Sequence, residues 1–179
     1  MTQVGNTYAH GLYALAQEEG LEKEILDELN MLRGVFTENP DFPKLLASFS
    51  LSKQERCSVL DNSLRGKVQP YVLNFLKILT EKGYIRHFEN CCRAYETLYN
   101  VEHGILLVHV SSAVALTEAQ EEKLLGKLSS LTGKTIQLRC SVDKACMGGV
   151  RLNYDGVQVD GTVQNRLDTI AKLLKNTVL

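Results

Sequence analysis

The hydrophobic period of the chain changes at Gly104, and that change limits the folds open to it more than any other feature. Before this glycine, apolar residues recur every three or four positions, which places them on one face of an α-helix. After it they alternate, as in a strand with one covered face. Val4, Tyr8, Leu12 and Leu15 form a first helical stripe that stops at Gly20. Ile25, Leu29, Leu32 and Phe36 form a second, ended by Asn39-Pro40 because a proline ring disfavours helical geometry in the residue before it. A short segment over 42–49 follows. Ser52 and Glu55 have the spacing of a capping box, in which each side chain satisfies the other's free backbone N–H, opening a helix that ends near Gly66. Pro70 suits the first turn of the stripe Val72, Phe75, Leu76 and Leu79, closed by Gly83. The last helix of the series carries Ile85, Phe88, Cys92, Tyr95 and Tyr99. Connections this short favour antiparallel neighbours, so the expectation is a bundle of six helices over residues 1–103.

Beyond Gly104, residues 105–110 read as a strand, and 135–142 alternate without error, with Ile136, Leu138, Cys140 and Val142 on one face. Between them Thr117 and Gln120 can form a second capping box for a helix bearing Leu124, Leu128 and Leu131. Val150, Leu152 and Tyr154, then Asp155-Gly156, then Val157 and Val159 predict a two-residue hairpin of the kind that needs positive φ. A final helix with Val163, Leu167, Ile170 and Leu174 closes the chain. The fold class predicted is mainly α: a six-helix N-terminal bundle plus a small C-terminal α/β domain over 104–179. Such a small module has a thin core and is expected to gain stability from a partner.

Composition narrows the function classes. With 20 basic and 21 acidic side chains in 179 residues, the chain has no bulk attraction for a nucleic-acid backbone or an anionic membrane. The longest aliphatic run, over 105–108, is far too short to span a bilayer. The first residues lack the layout of a secretory signal, which predicts a cytosolic location. Five cysteines, an odd number without a zinc-type pair, read as reduced and mostly buried thiols. Acid is concentrated between Glu18 and Asp41, which reads as a solvated helix face.

Catalysis needs converging reactive groups, and none has a recognisable spacing here. His10, His87, His103 and His109 are scattered, and His109, in an apolar strand, reads as structural. Gly148-Gly149 and Gly161-Thr162 are the candidates for a phosphate cradle, because Thr162 opens a helix with free N–H groups. No lysine accompanies either, and Asp160 would repel an anion. A nucleotide- or phosphate-binding regulator is therefore the alternative reading, and an RNA-binding α/β module a third. Neither a cofactor nor a metal is called for. Apolar helical stripes without a catalytic constellation favour an interaction protein.

Particular residues also resemble a known family. Tyr8-Ala9-His10-Gly11-Leu12 and Glu81-Lys82-Gly83 followed by Ile85, Phe88 and Tyr95 carry part of the likeness. Most of it lies in the closing stretch, where Asp143 to Val150 includes Gly148-Gly149, and Val159-Asp160-Gly161-Thr162-Val163 precedes Arg166-Leu167. These are similar to the delta subunit of bacterial F-type ATP synthases, the family that includes the mitochondrial oligomycin-sensitivity-conferring protein. Thr162 stands where Ser is usual, and Gln164-Asn165 lack the basic residue often found there.

The resemblance implies a non-catalytic stator subunit of a proton-translocating ATP synthase on the cytoplasmic face of the bacterial inner membrane, with no nucleic-acid partner and membrane contact only through the complex. It implies an N-terminal bundle that binds the amphipathic N-terminal helix of the alpha subunit, and a C-terminal domain that grips the b-type peripheral stalk. A helix-in-groove contact between the first and fifth helices would use Tyr8, Gly11, Leu12 and Leu15 opposite Phe75, Ile78 and Leu79, each of which has the alternative role of plain core. A specific complex of this kind buries about 800 Å² per partner, and nanomolar affinity corresponds to roughly −12 kcal/mol. For the stalk the implied residues are Met147, Gly149, Val150, Asp160 and Arg166. Asp160 is equally well explained as stabilising the start of the last helix.

Overall fold

The computed structural model describes residues 3–48, 51–146, 148–154, 156–163 and 165. The chain is mainly helical with a small four-stranded sheet, and it divides into two compact units, Met1–Tyr99 and Asn100–Leu179.

The first unit is built from α1 (Gln3–Glu19), α2 (Glu22–Glu38), α3 (Asp41–Leu46), α4 (Lys53–Leu64), α5 (Pro70–Glu81) and α6 (Phe88–Glu102), whose last turn carries the chain across the division. The stripes read from the sequence meet in one core. Ile25, Leu29 and Leu32 of α2, Leu76 and Leu79 of α5 and Tyr95 of α6 are almost wholly buried in it. The capping box that opens α4 is formed, with the Glu55 N–H donating to Ser52 Oγ at 3.2 Å and the Ser52 N–H to Glu55 Oε2 at 2.8 Å. Gly83 takes φ +75°, which lets the Tyr84 N–H reach back to the Leu79 carbonyl at 2.7 Å and close α5. That tight reversal changes the next element from the expected one. Ile85 lies in a separate 3₁₀ turn, Ile85–His87, ahead of α6, although its side chain is still buried in the core.

Two tertiary clasps had no sequence signature. The backbone N–H of Gln69, at the start of α5, donates to both carboxylate oxygens of Glu28 on α2, at 3.0 and 2.9 Å. The side chain that caps α5 therefore comes from another helix. Arg56 of α4 is buried, and its guanidinium donates to the carbonyl oxygens of Leu46 and Thr80, at the C-terminal ends of α3 and α5. Helix C-termini carry partial negative charge, which is what makes a buried cation tolerable there.

The second unit holds β1 (Ile105–Ser112), α7 (Glu118–Thr132), β2 (Thr135–Val142), β3 (Val150–Tyr154) and β4 (Val157–Asp160). The sheet order is β2-β1-β3-β4; β1 and β2 are parallel and joined through α7, and the other two pairings are antiparallel. Leu106, Val108 and Val110 of β1 pack with Leu128 of α7 and Ile136 of β2. His109 is on the opposite, exposed face, so it is not a core histidine.

The alternation of β2 promised a half-buried strand, and only its first half is one. Ile136 is buried and Leu138 half-buried, while Cys140 and Val142 are exposed. An edge strand has a neighbour on one side only, and the covering surface ends before the strand does. Cys140 thereby departs from the expectation of buried thiols, which Cys91, Cys92 and Cys146 meet. Gly156 has φ +77° in the β3–β4 hairpin. Asp155 and, beyond its first turn, the expected final helix with Leu167, Ile170 and Leu174 lie outside the described residues.

Candidate functional site: a groove between two helices

Helices α1 and α5 lie side by side with opposed directions, pinned at both ends. The Tyr8 ring meets the Tyr84 ring edge-on at 5.9 Å, and the Tyr71 hydroxyl donates to the Glu19 carboxylate, which raises the Tyr71 pKa above its ordinary value. Between these pins runs a groove of about 380 Å³, lined by Thr7, Tyr8, Gly11, Leu12 and Leu15 from one side and Tyr71, Asn74, Phe75 and Ile78 from the other. Leu12 and Phe75 make its floor, 5% and 6% exposed, and also belong to the core. Ile78, 45% exposed, is an apolar side chain on the rim.

Gly11 sits on the α1 lip, and a Cβ built there would meet nothing within 4 Å. The chain's own packing thus gives no reason for glycine, which in a helix interior costs roughly 0.5–1 kcal/mol relative to alanine. A bare lip lets a second helix backbone come close. Six of the seven residues expected at a helix-docking site line this groove. Leu79 does not, being wholly buried on the core side of α5. Tyr71, Asn74 and Thr7 were missed, although Tyr71, Asn74, Phe75 and Ile78 have the i, i+3, i+4, i+7 spacing of one helix face and could have been found from it.

The residues expected at a stalk contact have a different arrangement. Gly149 has φ +82°, and a Cβ there would lie 2.5 Å from the Gly161 carbonyl oxygen. The Gly161 N–H donates to the Val150 carbonyl at 3.0 Å, and the Val163 N–H to that of Gly148 at 3.0 Å. Asp160 accepts from the Thr162 N–H at 3.0 Å, the Thr162 hydroxyl at 2.6 Å and Arg151 Nε at 3.0 Å. Those Thr162 bonds, followed by Arg151, hold its carboxyl below the usual aspartate value. Gly149 and Asp160 therefore lock the end of the sheet onto the turn that follows it, and Val150 is half-buried beside them. Met147 and Arg166 lie outside the described residues.

The lock also bears on the phosphate alternative. The Thr162 N–H that an anion would need is already donated to Asp160, and the space beside Gly149 is filled by Gly161.

Residues 4–174 match the family described as ATP synthase delta (OSCP) subunit. The chain belongs to that family. Among its relatives, the ATP synthase subunit delta of Clostridioides difficile is 31% identical over 176 residues, covering 98% of this chain and 97% of the relative. That of Symbiobacterium thermophilum is 32% identical over 164 residues, covering 92% and 88%. A chain in the cryo-EM structure of the Toxoplasma gondii mitochondrial ATP synthase hexamer shares the fold with a TM-score of 0.78 at 19% identity, covering 97% of this chain and 98% of that one.

In this delta-family chain the perturbed titrating groups are dispersed. Burial pushes the Cys91 thiol up to about 11 and Cys92 higher still, so both stay protonated within the core. Glu55 is held low by its cap partner Ser52. Among the described residues, no helix is long and apolar enough to cross a membrane.

Proposed function

We propose that this chain is a non-catalytic stator subunit of an ion-driven ATP synthase, a joint that keeps the catalytic head from turning with the central stalk. The observation that carries this reading is the family match over 4–174. The groove between α1 and α5 supplies the means. Its six helices act as one bundle over residues 1–103, and that bundle seats the amphipathic N-terminal helix of the alpha subunit between Tyr8, Gly11, Leu12 and Leu15 on one wall and Phe75 and Ile78 on the other. The domain over 104–179 binds the b-type peripheral stalk through Met147, Val150 and Arg166, with Gly149 and Asp160 holding the end of the sheet beside Val150 in place. The complex places the subunit on the cytoplasmic face of the inner membrane.

Apolar burial suits this task. A joint under torque needs slow dissociation, and affinity differences among related interfaces reside mostly in the off-rate. Titration of the full chain with a synthetic alpha N-terminal helix tests the reading. Binding is expected at one to one, and Ile78→Asp, which puts a charge against the apolar stripe of the partner, should weaken it by about 2 kcal/mol or more, roughly thirtyfold. The circular dichroism spectrum should be unchanged, because Ile78 is on the rim. Absence of any heat or chemical-shift change with the wild-type chain overturns the proposal.

A further inference from the structure

The first unit carries a second apolar groove, larger than the first and sharing no lining residue with it. Bounded by α2, α3, α4 and the turn after α4, it encloses about 770 Å³. Its floor is fixed, since the Phe36 ring packs 4.8 Å from Phe88 and 5.7 Å from Phe42. Its lips are Met31, Val35 and Leu45, which are 49%, 41% and 42% exposed. Large apolar side chains gathered around one concavity mark a contact surface, whereas the same residues scattered would not.

Charge around the groove selects what fits it. Along α2, Asp27, Met31, Gly34 and Glu38 share one face at i, i+4, i+7 and i+11. Asp27 and Glu38 are exposed and make no ion pair among the described residues. Glu24 and Glu28 on the same helix already accept hydrogen bonds from Gln69, and Asp41 is paired with Lys44 at 3.0 Å. Two uncommitted carboxylates therefore bracket the apolar lip on the α2 side. Across the groove, Lys67 is a cation without an ion-pair partner among the described residues.

From this combination we infer that the groove between α2, α3 and α4 is a second helix-docking site, for an amphipathic helix of another polypeptide with Lys or Arg on the flank facing α2 and no cation on the flank facing Lys67. The apolar stripe of that helix fills the concavity, and its basic flank pairs with Asp27 and Glu38. Complementary charge at the lips sets register and orientation, while the buried stripe sets lifetime.

The test uses the full chain and two synthetic amphipathic peptides of about four turns, on the order of 15 residues, with the same leucine stripe. One carries Lys on the flank meant for α2, and the other carries Glu there. The Lys peptide should bind at one to one, at least about tenfold tighter than the Glu peptide, a gap that salt narrows. The exposed double change Asp27→Lys with Glu38→Lys should erase or reverse that preference, and Val35→Asp should abolish binding. Ile78→Asp, in the other groove, should leave it unchanged, so that failure here is separable from failure of the α1/α5 reading. Equal binding of the two peptides, no binding of either, or loss through Ile78→Asp while Val35→Asp has no effect would each overturn the inference. So would concentration-dependent dimerisation of the chain that Val35→Asp abolishes, since a second copy would then be the occupant.

Discussion

Two glycines show how the same residue type takes opposite roles. Gly11→Ala adds a methyl to a helix interior where nothing opposes it, so the first unit should become more stable by about 0.5–1 kcal/mol while the proposed hold on the alpha helix weakens. Gly149→Ala places a Cβ 2.5 Å from the Gly161 oxygen in a left-handed backbone, and the strain of that conformation alone costs about 1–2 kcal/mol before the clash is counted. Urea denaturation of the two variants should move in opposite directions. Asp160 adds a pH signature. Its carboxyl is held low in the folded chain, so its contribution is full above the ordinary aspartate pKa of about 3.9 and fades as pH falls through the folded value. Asp160→Asn should flatten the acid limb of the second unit's stability against pH; an unchanged limb would mean other carboxylates govern it. From sequence, Asp160 was readable either as a stalk contact or as a helix-start residue. Its three donors come together only in the fold, because Arg151 is brought to it by strand pairing rather than by nearness in the chain.

At the level of elements, punctuation was more legible than burial. Both capping boxes, Ser52 with Glu55 and Thr117 with Gln120, are present, and Gly20, Gly66, Gly83, Gly104 and Gly133 all have positive φ, because caps and stops depend on neighbours a few residues away. Burial depends on distant parts of the chain. The alternation in β2 was sound as a pattern, yet Val142 ended up 57% exposed because nothing in the strand itself tells how far its cover extends. The Glu28 clasp on α5 was invisible for the same reason. Ser52→Ala should cost about 1 kcal/mol of first-unit stability, measured by thermal melting. Since Ser52 holds the Glu55 carboxyl low, the cap's contribution is present above the ordinary glutamate value and declines below it, so the penalty of Ser52→Ala should shrink in acid.

At the scale of the whole molecule, the two units are unequal. The second is organised around Leu106, Val108, Val110, Leu128 and Ile136, while the first buries side chains from all six of its helices. Hydrogen exchange under mild denaturant should show β1 amides opening at lower free energy than those of α5; equal values would mean the chain unfolds as one cooperative block. The change of period at Gly104 marked where α6 gives way to β1, and the α1 stripe with its glycine pointed to most of the α1 lining of the first groove. The second groove was not readable, since α2, α3 and α4 contribute its lips from separate stretches of chain. One consequence of the α1/α5 geometry reaches into heredity. Leu12 and Phe75 belong to the interior of this protein and line the groove, so on the proposed reading a mutation that resizes either one alters folding and grip in the same stroke. Lineages cannot tune the strength of that coupling by drift at these two positions without also gambling on whether the subunit folds; adjustment is left to the rim and to the visiting helix.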